Sequence, residues 1–137
     1  MRFELIDCVL ERQDNRLTAI KTVSRAEEYL ADHFPGFPVL PGVLMLESLV
    51  QAARLLVNGD EPLVVQEVRN VRYGSMVRPG QTLRVEVNLR KRRGNGFDFQ
   101  GVGTINSEVA VQGRFSLEPV KWPVTLNRRI NNGNDQG

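Results

Sequence analysis

Histidine and cysteine are almost missing from this chain of 137 residues: His33 and Cys8 are each a single copy. One cysteine excludes an intrachain disulfide. One histidine and one cysteine leave no constellation of the kind that holds zinc. No apolar run approaches about 18 residues, so no membrane-spanning helix is expected. Charge of one sign is scarce as well. A net +2 in a nearly balanced chain is too little to argue for nucleic acid. The opening Met1-Arg2-Phe3-Glu4-Leu5-Ile6-Asp7 has acids where a signal peptide needs an apolar centre. Export is therefore not expected, and a cytoplasmic location is. What remains is ordinary: 41% hydrophobic and 25% charged residues, the balance of one globular domain.

The second half carries the clearest pattern. Leu83, Val85, Val87 and Leu89 alternate with Arg84, Glu86, Asn88 and Arg90, the period of a half-buried strand. Phe97, Phe99, Gly101, Gly103 and Ile105 repeat it, as do Val109, Val111, Gly113, Phe115 and Leu117. These are three long antiparallel strands with one apolar face. Their phenylalanines all lie on that face, which argues for core and against a stacking platform for bases. The Asn-Gly of Arg93-Gly94-Asn95-Gly96 suits a tight hairpin turn, and Arg78-Pro79-Gly80 another turn. Pro62 to Val71, Phe3 to Arg12 and Arg16 to Val23 read as further strands. Ser24 and Glu27 fit a capping box for a short helix over Arg25 to Ala31. The segment from Trp122 onward loses all periodicity, so residues 1–121 are expected to form the domain and 122–137 an irregular tail.

Val43 to Val57 differs in kind. It is apolar at nearly every position, which predicts a helix buried on most sides, with Gly59 as its stop. Its few polar residues include Glu47, Gln51 and Arg54, spaced to fall on one stripe. The sheet is therefore expected to wrap this helix, leaving a narrow polar seam. Just before it runs a rigid loop with three prolines, His33-Phe34-Pro35-Gly36-Phe37-Pro38-Val39-Leu40-Pro41-Gly42.

An imidazole titrates near neutrality without help. A carboxyl buried in an apolar helix is expected to have a raised pKa, which would make it a usable general acid. The N–H of Gly42, at the helix N-terminus, is an unpaired donor where an anion is favoured. Base, acid and oxyanion donor together suit removing a proton next to a carbonyl and expelling a hydroxyl as water. The plain readings are a structural histidine, a Glu facing a gap or a partner chain, and a loop that merely connects. Arg90-Lys91-Arg92-Arg93 reads first as a solvated hairpin end that discourages edge pairing, and second as a dock for an acidic partner. Lys21 and Arg54 have no reading beyond surface or seam.

The segment Asp32-His33-Phe34-Pro35-Gly36-Phe37-Pro38-Val39-Leu40-Pro41-Gly42-Val43-Leu44-Met45-Leu46-Glu47-Ser48-Leu49-Val50-Gln51-Ala52-Ala53 resembles the active-site signature of the 3-hydroxyacyl-[acyl carrier protein] dehydratases of bacterial fatty acid synthesis. It is most similar to the general branch, which has Glu on the helix. Weaker similarity runs from about Phe3 to Leu117. The resemblance implies an α+β hot-dog fold, a curved antiparallel sheet around one long helix. It implies a homodimer, at times a trimer of dimers, whose sites take the histidine from one subunit and the carboxylate from the other. It assigns His33 as base on C2, Glu47 as acid toward the 3-hydroxyl, Gln51 as its helper, the Gly42 N–H as oxyanion donor and the Val39 carbonyl as the group that orients His33. The substrate would arrive on the phosphopantetheine of an acyl carrier protein docking at Lys91, Arg92 and Arg93, and no metal or redox cofactor is implied. Asp32, where the family usually has Gly, and Phe37, where it has a small or polar residue, depart from the pattern. So does the missing Leu-Pro-His-Arg-type segment near the start. Two rivals are a hot-dog thioesterase, which would not need the histidine loop, and a non-catalytic acyl-thioester-binding module.

Overall fold

A computed structural model describes residues 4–23, 42–57 and 62–120. The elements are β1 (Cys8–Arg12), β2 (Arg16–Thr22), α1 (Gly42–Leu56), β3 (Leu63–Tyr73), β4 (Thr82–Arg93), β5 (Gly96–Ile105) and β6 (Glu108–Pro119). The strands form one antiparallel sheet in the order β1-β2-β4-β5-β6-β3, so β1 and β3 are its edges. The helix lies on one face and touches β2, β4, β5, β6 and β3. The sheet residues that meet it are the alternating ones read as apolar: Leu83, Val85 and Val87 on β4, Phe99 and Ile105 on β5, Val111, Phe115 and Leu117 on β6. Phe99 and Phe115 are register partners, and their rings stack with centroids 5.5 Å apart. Gly101 lets the helix come close, because a Cβ there would stand 3.1 Å from Leu49 Cδ1 and 3.3 Å from Leu49 Cβ.

Several boundaries differ from the sequence reading. Leu5 is buried but lies outside the first strand, because its N–H donates to Gln51 Oε1 on the helix instead of to a neighbouring strand. The β4–β5 turn is Gly94-Asn95, with the positive φ at Gly94 (57°), and not Asn95-Gly96. The β5–β6 turn, Asn106-Ser107, takes positive φ at both residues without any glycine. Arg78-Pro79-Gly80 is the expected turn, closed by Gln81 N–H to the Arg78 carbonyl, with Gly80 at φ 90°. Met45, Ser48, Leu49, Val50, Ala52, Ala53 and Leu56 of the helix are buried, and its exposed residues are Val43, at 71%, and Leu55, at 41%. Burial or half-burial at its other positions agrees with the expectation of a helix covered on most sides. Lys21, read as surface or seam, is 5% exposed. It alternates with Leu17 and Ala19 on the inner face of β2, and its ammonium lies 3.6 Å from the Asp7 carboxylate. The expected helix over Arg25 to Ala31, Gly59 and the tail from Trp122 lie outside the described residues.

Candidate active site

Glu47 stands in the second turn of α1, with Gln51 and Arg54 one and two turns beyond it on the same stripe. The seam read from their spacing is a contact network. Gln51 Nε2 donates toward Oε2 of Glu47 at 3.4 Å, and Arg54 Nη1 reaches the same oxygen at 3.5 Å. Each donor is tied elsewhere. The Leu5 N–H donates to Gln51 Oε1 at 2.9 Å, which orients the amide so that its nitrogen faces Glu47. Arg54 Nε donates to the Leu63 carbonyl at 3.1 Å. The other carboxylate oxygen of Glu47, Oε1, has no hydrogen-bond or ion-pair partner among the described residues.

The expectation of a buried carboxyl is corrected here. The Glu47 side chain is 39% exposed in the single chain, with a guanidinium beside it. The sheet takes the Met45, Leu49, Ala52 and Leu56 face of the helix and leaves the Glu47 stripe at its margin, next to Leu5 and Leu63. Burial in an apolar helix is therefore not this carboxyl's environment.

Gly42 is the first residue of α1, whose first turn contains no acid, so no side chain of that turn offsets the partial positive charge of that end. Tyr73, at the end of β3, lies over it: a Cβ at position 42 would come within 3.0 Å of Tyr73 Cε1 and 3.2 Å of Cζ. A side chain at position 42 would have to displace the Tyr73 ring by a few tenths of an ångström. Nothing in the sequence pattern ties Tyr73 to Gly42, or Leu5 and Leu63 to the seam, because these contacts join segments remote along the chain. His33 and Val39, with the departures Asp32 and Phe37, lie outside the described residues.

The basic run occupies the end of β4. Arg93 pairs with Asp98 at 2.8 Å, and the Arg92 guanidinium sits 5.2 Å above the Phe97 ring. Lys91 lines a hollow of ≈ 250 Å³ together with Arg69, Arg90, Arg114, Glu67 and Asp98. Two of the three cations thus have local partners.

One antiparallel sheet packed around one long helix defines the hot-dog class of protein. The dehydratase heterocomplex ApeI:P from Xenorhabdus doucetiae has the same fold, with a TM-score of 0.71 and 24% identity over 93% of this chain and 90% of that one. A family model described as ApeI dehydratase, ApeI-like, matches residues 9–114. The 3-hydroxyacyl-[acyl-carrier-protein] dehydratase FabZ of Lactococcus lactis subsp. cremoris is 36% identical, over 84% of this chain and 83% of its own. The FabZ of Solibacter usitatus is 34% identical, over 80% of this chain and 72% of its own. The chain belongs to the 3-hydroxyacyl-[acyl-carrier-protein] dehydratase family.

Proposed function

We propose that this chain dehydrates (3R)-3-hydroxyacyl thioesters to trans-2-enoyl thioesters, carried on acyl carrier protein, in fatty acid biosynthesis. The observation that carries the reading is the identity of 34–36% with dehydratases named FabZ, over most of the chain, including the segment that holds Glu47. The enzyme reading therefore stands over both the thioesterase and the non-catalytic module.

In the proposed reaction His33 takes the C2 proton while the Gly42 N–H binds the thioester oxygen on which the enolate charge collects. Glu47 gives its proton to the 3-hydroxyl, the C3–O bond breaks, and water leaves as the C2–C3 double bond forms. Carbon undergoes no net change in redox state, so the step calls for no redox cofactor. The Val39 carbonyl orients the imidazole, and Gln51 holds the carboxyl. Oε1 of Glu47, which has no partner among the described residues, supports its role, since that oxygen can face the leaving hydroxyl while Oε2 is held.

The working unit is a homodimer in which His33 of one chain meets Glu47 of the other, with a trimer of dimers as the larger assembly. Exposed Val64, Val65 and Val68 on the edge strand β3, with Val43 on the helix, support an interface along that side. Carrier protein is proposed to dock at Lys91, Arg92 and Arg93. No described helix is long and apolar enough to cross a membrane, and the cytoplasm is the proposed location. The test is hydration of crotonyl thioester by the purified chain, followed by loss of enoyl absorbance. Turnover that disappears in His33→Ala is expected; an inactive wild-type protein overturns the reading.

A further inference from the structure

We propose that Arg54 is a positioning residue for the acid, pinning one oxygen of Glu47 so that the other is presented to the reacting hydroxyl. The inference rests on the dehydratase reading and on Glu47 as its acid. Three observations carry it. First, Arg54 is in the last turn of α1, where a cation ordinarily serves the helix's own terminal carbonyls. That duty is met by a different residue: Arg12 Nη2 on β1 donates to the Leu56 carbonyl at 2.9 Å. Second, Arg54 turns back along the helix instead. Its Nε is fixed on the Leu63 carbonyl at 3.1 Å, and its Nη1 reaches Oε2 of Glu47 at 3.5 Å. A planar guanidinium held at Nε has little freedom left at Nη1. Third, Gln51 addresses the same oxygen from its own anchor at Leu5, so two independently tethered donors converge on Oε2 and neither on Oε1.

The arrangement fixes the carboxyl in rotation. A glutamate side chain that is 39% exposed otherwise has several rotamers open to it, and most would aim its proton away from a hydroxyl at C3. Orientation of the reacting group is worth a large factor in rate, and small misplacements are costly. Because Leu63 begins β3, the clamp also ties the acid to the sheet edge on which the proposed interface lies. Gln51 alone would hold Oε2 by one neutral contact at 3.4 Å, to which Arg54 adds a charged one at 3.5 Å.

The test compares Arg54→Met, Arg54→Lys, Glu47→Gln and the double variant Glu47→Gln/Arg54→Met in the hydration assay, with thermal melting of each. Arg54→Met is expected to lower kcat on the order of ten- to a hundredfold, with KM within about twofold and a melting temperature lowered by no more than a few degrees through the lost Leu63 contact. Arg54→Lys is expected to recover part of kcat, since one ammonium cannot serve both acceptors with a fixed fork. On the Glu47→Gln background the Arg54 change is expected to leave the residual rate, read at high enzyme concentration, where it is. An unaltered kcat in Arg54→Met, or an equal loss with Glu47 already replaced, overturns the proposal while leaving the acid role of Glu47 intact. Full activity in Glu47→Gln overturns both. Should Arg54→Met fail to fold, Arg54→Gln, which keeps a donor for Leu63 and drops the charge, is read against the same outcomes.

Discussion

Asp7 and Lys21 illustrate how much a single residue's environment matters in this molecule. Lys21 is buried, yet its carboxylate partner is half-exposed and also accepts the Thr22 N–H at 2.7 Å. Removing Asp7 takes a carboxylate partner from a buried cation and the acceptor from the Thr22 N–H together, whereas replacing Lys21 by Met fills the same space without a charge. Asp7→Ala is therefore expected to lower unfolding free energy by about 1–3 kcal/mol in urea titration, and Lys21→Met by clearly less. An equal or larger loss for Lys21→Met would show that the ammonium matters beyond this pair. Glu47 obeys a different logic. Its carboxylate is at the margin of the core, so Glu47→Gln should melt within a few degrees of wild type while turnover falls roughly 10²-fold or more. A large melting shift would make it a structural residue. The seam of Glu47, Gln51 and Arg54 was legible from helical spacing alone. Its anchors at Leu5 and Leu63 were not, because no local pattern records a contact between segments 46 or 9 residues apart.

The elements follow binary patterning wherever the sheet presents one face to the helix and the other to water. β4 and β5 alternate as read, and β6 does from Val111 onward, but at its start Val109 is exposed and Ala110 buried, where its pairing with β5 shifts register. Patterning is weaker at the edges. β3 is exposed along almost its whole length, and its pairing with β6 slips at two places, between Val65 and Glu67 and between Arg69 and Arg72. The hairpin turns were located correctly, but the residue that takes the unusual φ was misread at Gly94-Asn95. Asn-Gly and Gly-Asn both satisfy a tight turn, and strand register chooses between them. The β5–β6 turn has Ser107 at φ 72°, a conformation costly for a residue with a Cβ. Ser107→Gly is expected to raise stability by about 0.5–1 kcal/mol, seen as a higher urea midpoint at constant slope. Gly101→Val should do the reverse, by about 1–3 kcal/mol, since Leu49 is fully buried and its Cβ cannot retreat from the sheet.

At the scale of the whole molecule the proposed site belongs to two chains. If His33 of one chain serves Glu47 of the other, mixing His33→Ala with Glu47→Ala chains, each inactive alone, should restore roughly a quarter of wild-type activity after subunit exchange. No recovery after demonstrated exchange would place both groups within one chain. The proposed interface along β3 makes a parallel prediction. Val65→Asp with Val68→Asp should cost the single chain little, because both side chains are exposed, but should yield monomers on size-exclusion chromatography and abolish turnover. The sequence by itself determined the sheet's alternation, the apolar helix, the polar stripe on it and the loop signature that points to thioester dehydration. Those features are periodic or contiguous, so neighbouring residues carry them. Only the tertiary structure decided that Glu47 lies at the core's margin, that Arg54 turns toward it, that Tyr73 packs against Gly42 and that Lys21 is buried. Each depends on where distant segments meet. That placement is set by the strand order β1-β2-β4-β5-β6-β3 and by which stripe of the helix faces the sheet.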